Sequence, residues 1–311
     1  MKIALLDTLT FGDTDLSCFD ALGSVEAYQK TTPDETLKRI AEAEVIVTNK
    51  VVITKEHMQK SKNIKLICVA ATGMNNIDLE AAKELGIAVK NVAGYSTDSV
   101  IQHTFSMLFY LIGHSRYYDD VVKSGEYSKS GIFTDISHPF FEIKGKKWGI
   151  IGLGEIGRGV ANIAKCFGLD VCYYSTSGVN RTEDFQRMNL NELLKTCDII
   201  SIHAPLNDKT KNLLDYNELI TCKEGAVVLN IGRGGIINEE AVAKIVDEKN
   251  IVFGLDVFEK EPLPQESSLL HIKNKERLYM TPHIAWTSIE ARDKLIANVY
   301  ENIKSSFTEK I

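Results

Sequence analysis

Paired cysteines are missing from this chain of 311 residues: Cys18, Cys68, Cys166, Cys172, Cys197 and Cys222 stand singly, with no CxxC and no Cys/His cluster at metal-ligand spacing. That argues against a disulfide scaffold and a zinc-type site, so the cysteines are expected to be reduced thiols in core positions, and no metal is implied. Basic tracts are missing too. A formal net charge of -6 and no dense run of Lys or Arg leave no electrostatic footprint for nucleic acid. No apolar run approaches the ~20 residues that a membrane-spanning helix needs. The opening MKIALLDTLTFGDTD has a short apolar run that meets Asp7 and then polar residues, which reads as a first strand and not as a signal peptide. Neither a membrane nor a nucleic acid is therefore expected as a partner, and a cytoplasmic location follows by default. What remains is an ordinary balance of 44% hydrophobic and 25% charged residues, in a chain long enough for two cores.

Short β-branched runs alternate with helical periodicity along most of the length, the pattern of parallel sheets with crossover helices. KIALLD, VIVTN, LICVA and IAVKN read as strands of a first region, and TPDETLKRIAEA begins with a Thr-Pro-Asp-Glu capping box. From Asp98 to Tyr118 runs one long helical pattern, richer in bulky apolar residues than a one-sided surface helix requires. Packing on two sides is expected there, one of them a subunit interface. After a looser stretch from Ser124 to Lys144, a second alternation begins at KKWGIIGLGEIG and runs through VCYYS, IISIHAP, AVVLNIG, IVFGLDVF and LYMTPH. A final helix is expected from about Thr287 to Phe307.

The segment IIGLGEIG places Gly152, Gly154 and Gly157 in GxGxxG spacing between an apolar strand and a helix. The chemistry behind that spacing is a tight turn at the first glycine, room for a pyrophosphate at the second, and close helix–strand packing at the third. A lone GxGxxG is a weak signal, but its strand–loop–helix context is the one dinucleotide binding needs. An acidic residue to hold the adenosine ribose is expected about 20 residues on. Ser175 stands there instead, followed by Thr176 and Ser177, with Arg181 close behind. Without a carboxylate to repel a 2′-phosphate, the cofactor is NAD(H) or NADP(H), with Ser175 tilting the expectation toward NADP(H).

Three later strands end near residues that carry chemistry. GAVVLNIGRGG brings Arg233, GLDVFEKEP brings Asp256 and Glu261, and LYMTPHIAW brings His283. Each has a bland alternative: a surface ion pair for Arg233, a solvated turn for Glu261, a satisfied core histidine for His283. Ligands of a parallel sheet sit at the carboxyl ends of its strands, so these groups could instead converge on a nicotinamide.

This constellation resembles the NAD(P)-dependent D-2-hydroxyacid dehydrogenase family, over nearly the whole chain. It carries ATGMNNIDLEAAKELGIAVKNVAGYSTDSVIQHTFSMLF, GLGEIG, SIHAPLNDKTKNLLD, the GRGG segment, LDVFEKEP and TPHIAWTSIEARDKL. Among subfamilies it is most similar to glycerate dehydrogenases, also called hydroxypyruvate reductases, through ATGMNNID, NVAGYSTDSVIQH and the tryptophan of TPHIAWTS. Ser175 departs from the Asp usual in NAD-specific members.

The resemblance implies an α/β protein of two lobes. A flavodoxin-like substrate domain would comprise residues 1–96 and 284–311, with a Rossmann nucleotide-binding domain, 97–283, inserted into it. It further implies hydride transfer between NAD(P)H and a small 2-oxo acid, giving a D-2-hydroxy acid. Hydroxypyruvate or glyoxylate is the expected substrate, with pyruvate, a branched-chain 2-oxo acid, or a nucleotide-sensing regulator on the same fold as alternatives. Arg233 would anchor the carboxylate, His283 would be the acid/base, and Glu261 would orient its ring and balance its charge. Cofactor contacts would come from Gly152, Gly154, Glu155, Ile156, Gly157, Ser175, Thr176, His203, Ala204, Pro205, Ile231, Gly232, Arg233, Asp256 and His283, with Asp256 near the nicotinamide amide. Asn49, Lys50, Thr72, Gly73 and Trp286 would join Arg233 at the substrate, although Trp286 could equally anchor the last helix. A homodimer through the Asp98–Tyr118 helix is implied as well.

Overall fold

The structure is a computed structural model; it describes residues 1–179 and 184–308. The chain divides into two compact units, Met1–Ser96 with Thr287–Ile311, and Thr97–Trp286.

The first unit is built on five parallel strands, β1 (Lys2–Leu5), β2 (Ser24–Ala27), β3 (Val45–Thr48), β4 (Leu66–Val69) and β5 (Ala88–Lys90). Their order, β2-β1-β3-β4-β5, is the flavodoxin-like one. β3 and β4 are buried along their whole length, as strands covered on both faces must be. β2 lies at an edge and is mostly exposed, so its SVEA lacks the apolar run by which the other strands are recognised. Helix α1 (Pro33–Ile40) starts at the expected cap, with the Thr32 N–H donating to Glu35 Oε2 at 3.0 Å. Two short helices, α2 (Lys55–Lys60) and α3 (Leu79–Glu84), complete the crossovers.

The second unit opens with α4 (Thr97–Ile112), α5 (Ser115–Lys123) and α6 (Glu126–Ser130). The helical pattern from Asp98 to Tyr118 is thus two helices. The break falls at Gly113 and His114, where His114 takes a left-handed φ of 47°. The apolar breadth of α4 is used inside its own unit: Val100, Ile101, Phe105, Met107, Leu108 and Leu111 are buried, against α7 (Glu155–Cys166) on one side and the sheet on the other.

That sheet holds β6 (Lys147–Ile151), β7 (Asp170–Tyr174), β8 (Gln186–Arg187), β9 (Ile199–Ile202), β10 (Val227–Asn230), β11 (Val252–Leu255) and β12 (Leu278–Met280). All pairs are parallel, in the order β12-β11-β10-β9-β6-β7-β8. This is the doubly wound Rossmann arrangement with one further strand, and the order reverses between β6 and β9. Helices α8 (Leu190–Thr196), α9 (Tyr216–Leu219) and α10 (Glu239–Glu248) cover the opposite face from α4 and α7. The chain then returns to the first unit through α11 (Ile289–Thr308), which packs near β4.

The cysteines are all free, but only four are buried; Cys166 is exposed and Cys18 half-buried, which corrects the expectation that all six fill the core. Among the described residues no helix is long and apolar enough to cross a membrane.

Candidate active site

Asn230 ends β10 and organises the loop that follows. Its Nδ2 donates to the Arg233 carbonyl at 3.0 Å, and its Oδ1 accepts from the Gly232 N–H at 3.2 Å. The Arg233 guanidinium donates only to the Gly232 carbonyl, at 2.8 Å, and has no carboxylate partner among the described residues. Gly234 is required by packing: a Cβ there would lie 1.8 Å from the Phe258 carbonyl oxygen. The arginine loop is therefore pressed against the Phe258–Glu261 turn.

That turn presents Glu261. Its Oε1 accepts from the Phe258 N–H at 3.0 Å, which fixes the carboxylate, and its Oε2 lies 2.7 Å from His283 Nδ1. An ionised carboxylate has only acceptors, so Nδ1 carries the proton in this bond and Nε2 is left for another partner. Nε2 has no partner among the described residues.

His283 itself has φ 56°, a left-handed conformation that on the order of 1–3 kcal/mol disfavours in a non-glycine residue unless its surroundings hold it. Asp256 does the holding. It is fully buried, and its Oδ1 accepts from the Thr281 hydroxyl at 2.6 Å and the Ile284 N–H at 2.8 Å, while Oδ2 accepts from the Ala285 N–H at 2.9 Å. Both oxygens are thus engaged by the segment that carries His283. Trp286, at the end of that segment, packs against the core formed by α4, α7 and the sheet, as an anchor would.

The nucleotide loop meets each steric demand of its spacing. Gly152 has φ 93°, and a Cβ would come within 2.9 Å of the Ala204 main chain; a Cβ on Gly157 would sit 2.3 Å from the Gly152 carbonyl oxygen. Above Gly154, by contrast, nothing lies within 4 Å. Gly154 caps α7, with Glu155 and Ile156 in its first turn, so open space adjoins the N-terminus of a 12-residue helix, an arrangement that fits a pyrophosphate. Glu155 itself accepts from the Thr97 hydroxyl at 3.0 Å.

Across the switch point, β9 is followed by His203, Ala204 and Pro205. Trp148 Nε1 donates to Ser201 Oγ at 2.9 Å, and His203 Nε2 lies 2.9 Å from the same hydroxyl. Burial pushes the pKa of His203 down to about 3, so the ring is neutral. Its buried Nδ1 has no partner among the described residues. A polar group of a cofactor is the kind of partner that would satisfy it. Ile231 is buried and Gly232 lies against the main chain of β9: a Cβ on it would be 3.0 Å from the Ala204 carbonyl oxygen.

Ser175 is buried, and its hydroxyl donates to the Val179 carbonyl at 2.6 Å, closing the loop in which Thr176 sits half-buried. Arg181 lies outside the described residues.

In the first unit, Asn49 is buried with its Nδ2 unpartnered among the described residues, whereas Lys50 is exposed. Their main chain is held by Asp7, whose carboxylate accepts from the Asn49 N–H at 2.9 Å and the Lys50 N–H at 2.7 Å. Burial holds the pKa of Asp7 above the ordinary carboxylate value, with these hydrogen bonds opposing the rise. Sequence reading passed over Asp7 as a positioning residue; an aspartate closing a buried strand is the signal that marks it. Thr72 donates its hydroxyl to the Val92 carbonyl at 3.2 Å, and the main-chain N–H groups of Thr72 and Gly73 find no acceptor among the described residues.

Residues 105–285 match the family described as D-isomer specific 2-hydroxyacid dehydrogenase, NAD binding domain. The chain is 33% identical to a hydroxypyruvate reductase of Blautia hydrogenotrophica, over 98% of its own length and 96% of the relative's. It is 31% identical to a glycerate dehydrogenase of Methylorubrum extorquens, over 98% and 95%. Among solved structures, a D-lactate dehydrogenase of Aquifex aeolicus complexed with NAD and lactic acid superposes with a TM-score of 0.85 at 25% identity, covering 99% of this chain and 96% of that one.

Two glycine substitutions separate packing from binding. Gly234→Ala is expected to destabilise the protein by about 1–3 kcal/mol, because main chain must move to admit the methyl group. Gly154→Ala enters open space and is expected to leave thermal unfolding unchanged while weakening dinucleotide binding. An unaltered melting temperature for Gly234→Ala, in the same thermal scan, would contradict the tight contact with Phe258.

Proposed function

This chain belongs to the D-isomer specific 2-hydroxyacid dehydrogenase family, and we propose that its substrate is hydroxypyruvate or glyoxylate, reduced to D-glycerate or glycolate, or the reverse. It is a nicotinamide-dependent oxidoreductase that interconverts 2-oxo and 2-hydroxy acids. The observation that carries the residue assignment is the 2.7 Å bond from His283 Nδ1 to Glu261, beside an arginine loop whose guanidinium has no carboxylate partner among the described residues. The relatives named for hydroxypyruvate and glycerate support the choice of a short acid.

When bound, the nicotinamide dinucleotide supplies or accepts the hydride. Arg233 binds the substrate carboxylate through its planar fork and polarises the adjoining carbonyl, which a lysine ammonium would do with less directional control. His283 donates the proton from Nε2 to the keto oxygen in reduction and takes it back in oxidation. Glu261 keeps the proton on Nδ1 and so keeps Nε2 directed to that exchange. Gly152, Gly154, Gly157, Gly232 and the unpartnered His203 Nδ1 are suited to the dinucleotide, and in the first unit the open N–H groups of Thr72 and Gly73 are suited to a carboxylate oxygen. Ser175 in place of a carboxylate supports use of NADP(H) alongside NAD(H).

A homodimer belongs to the same proposal, but through a different surface from the one that the breadth of α4 suggested. Ile132, Phe133, Ile136 and Phe140 of the second unit are 63–88% exposed, on a segment tied down by the Tyr118 hydroxyl on the His138 carbonyl at 2.8 Å and the Tyr127 hydroxyl on the Phe133 carbonyl at 2.8 Å. Apolar side chains presented by a pinned segment mark a protein-binding face. Light scattering is expected to give the mass of two chains; a monomer mass at assay concentration would remove this part.

Initial rates with NADH and NADPH side by side, against hydroxypyruvate, glyoxylate, pyruvate and 2-oxoisocaproate, test the rest. The highest kcat/KM is expected on hydroxypyruvate or glyoxylate, with NADPH accepted. His283→Ala is expected to lower kcat by roughly 10²–10⁴-fold with cofactor affinity retained. Preference for pyruvate or the branched acid would overturn the substrate, and turnover surviving in His283→Ala would remove His283 from the chemistry.

A further inference from the structure

The segment from Thr281 to Ala285 is gripped from two directions. Asp256 takes its N–H groups, as described above. The other grip comes from α4, which presents Ser99 and His103 four residues apart and hence on one face. Both are polar in a helix whose other inward positions are mostly apolar. The Ser99 hydroxyl donates to the Ala285 carbonyl at 2.7 Å. His103 Nε2 lies 3.2 Å from Thr281 Oγ1 and 3.6 Å from Asp256 Oδ1.

Donor accounting settles the direction of the second contact. Thr281 has one O–H, and it is given to Asp256 at 2.6 Å. Its oxygen can then only accept, so His103 donates from Nε2. Burial lowers the pKa of His103, opposed by the nearby Asp256 charge. A chain of donors therefore runs from α4 through Thr281 to the carboxylate that holds the catalytic segment.

We propose that Ser99 and His103 are positioning residues for proton transfer: by fixing Ala285 and Thr281 they hold His283 in its left-handed conformation, with Nε2 in line for the substrate. This rests on His283 being the acid/base. Neither residue touches the reacting atoms. They act by orientation, and a displacement of about 1 Å at a catalytic group can cost on the order of 100-fold in rate.

The test compares His103→Met, which removes the donor at similar length, with His103→Gln, whose amide N–H can occupy the place of Nε2–H. His103→Met is expected to lower kcat by roughly 10- to 100-fold, with KM and cofactor Kd changed by less than about threefold. His103→Gln is expected to recover most of that loss. Ser99→Ala, a smaller change that serves if His103→Met fails to fold, is expected to lower kcat several-fold in the same selective way. Wild-type kcat in His103→Met, equal losses in the Met and Gln variants, or for a misfolded Met variant an unaffected Ser99→Ala, would overturn the proposal. His283→Ala, measured alongside, separates the two readings: its inactivity with full activity in His103→Met sinks the positioning role alone, whereas its retained activity sinks the acid/base assignment itself.

Discussion

The buried carboxylate of Asp256 is the constraint on which the proposed chemistry turns. A charge enclosed in protein is costly unless donors surround it, and here the donors are main-chain N–H groups and a hydroxyl of the Thr281–Ala285 segment. The carboxylate is satisfied only when that segment adopts one path. On that path His283 takes a backbone conformation that it would otherwise avoid, and its ring meets Glu261. Electrostatic satisfaction in the interior thus becomes geometry at the carboxyl ends of the strands.

Close packing carries the same geometry to the arginine. The absence of a side chain at Gly234 lets the Arg233 loop lie against the carbonyl of Phe258, three residues before Glu261. At the switch point, Gly152 and Gly232 each lie against Ala204, so β6, β9 and β10 end in mutual contact. Side chains at these glycines would separate loops whose functional groups belong together. Of the three glycines in the nucleotide loop only Gly154 borders open space, which suits a ligand and not a packing contact.

Much of this was legible in the sequence, and the reasons are physical. The β-branched runs at 45–48 and 66–69 declare buried parallel strands, and Gly152, Gly154 and Gly157 declare a loop whose three steric roles the structure meets separately. Less legible were β2 and β8, edge strands too short or too polar to show a pattern. The apolar breadth of α4 was visible but ambiguous, because a helix packed on a neighbouring helix and a sheet has the same composition as one that meets a partner subunit. Hidden altogether were the bonds by which Asp7 holds the Asn49 and Lys50 main chain, Ser201 meets Trp148, and Thr281 meets Asp256, since hydrogen bonds between residues far apart in the chain leave no local periodicity. Ser99 and His103 did leave a trace, as two polar residues one turn apart in an apolar helix.

The most direct measurement of this account is the pair of kcat and cofactor Kd for Asp256→Asn. The amide replaces one acceptor oxygen with a donor, which cannot receive the N–H or O–H groups now aimed at it, so the segment carrying His283 must shift. A fall in kcat of roughly 100-fold, with cofactor Kd within a few-fold of wild type, is the predicted result. Wild-type turnover, or a loss confined to cofactor binding, would contradict it and move Asp256 from positioning the histidine to contacting the nicotinamide.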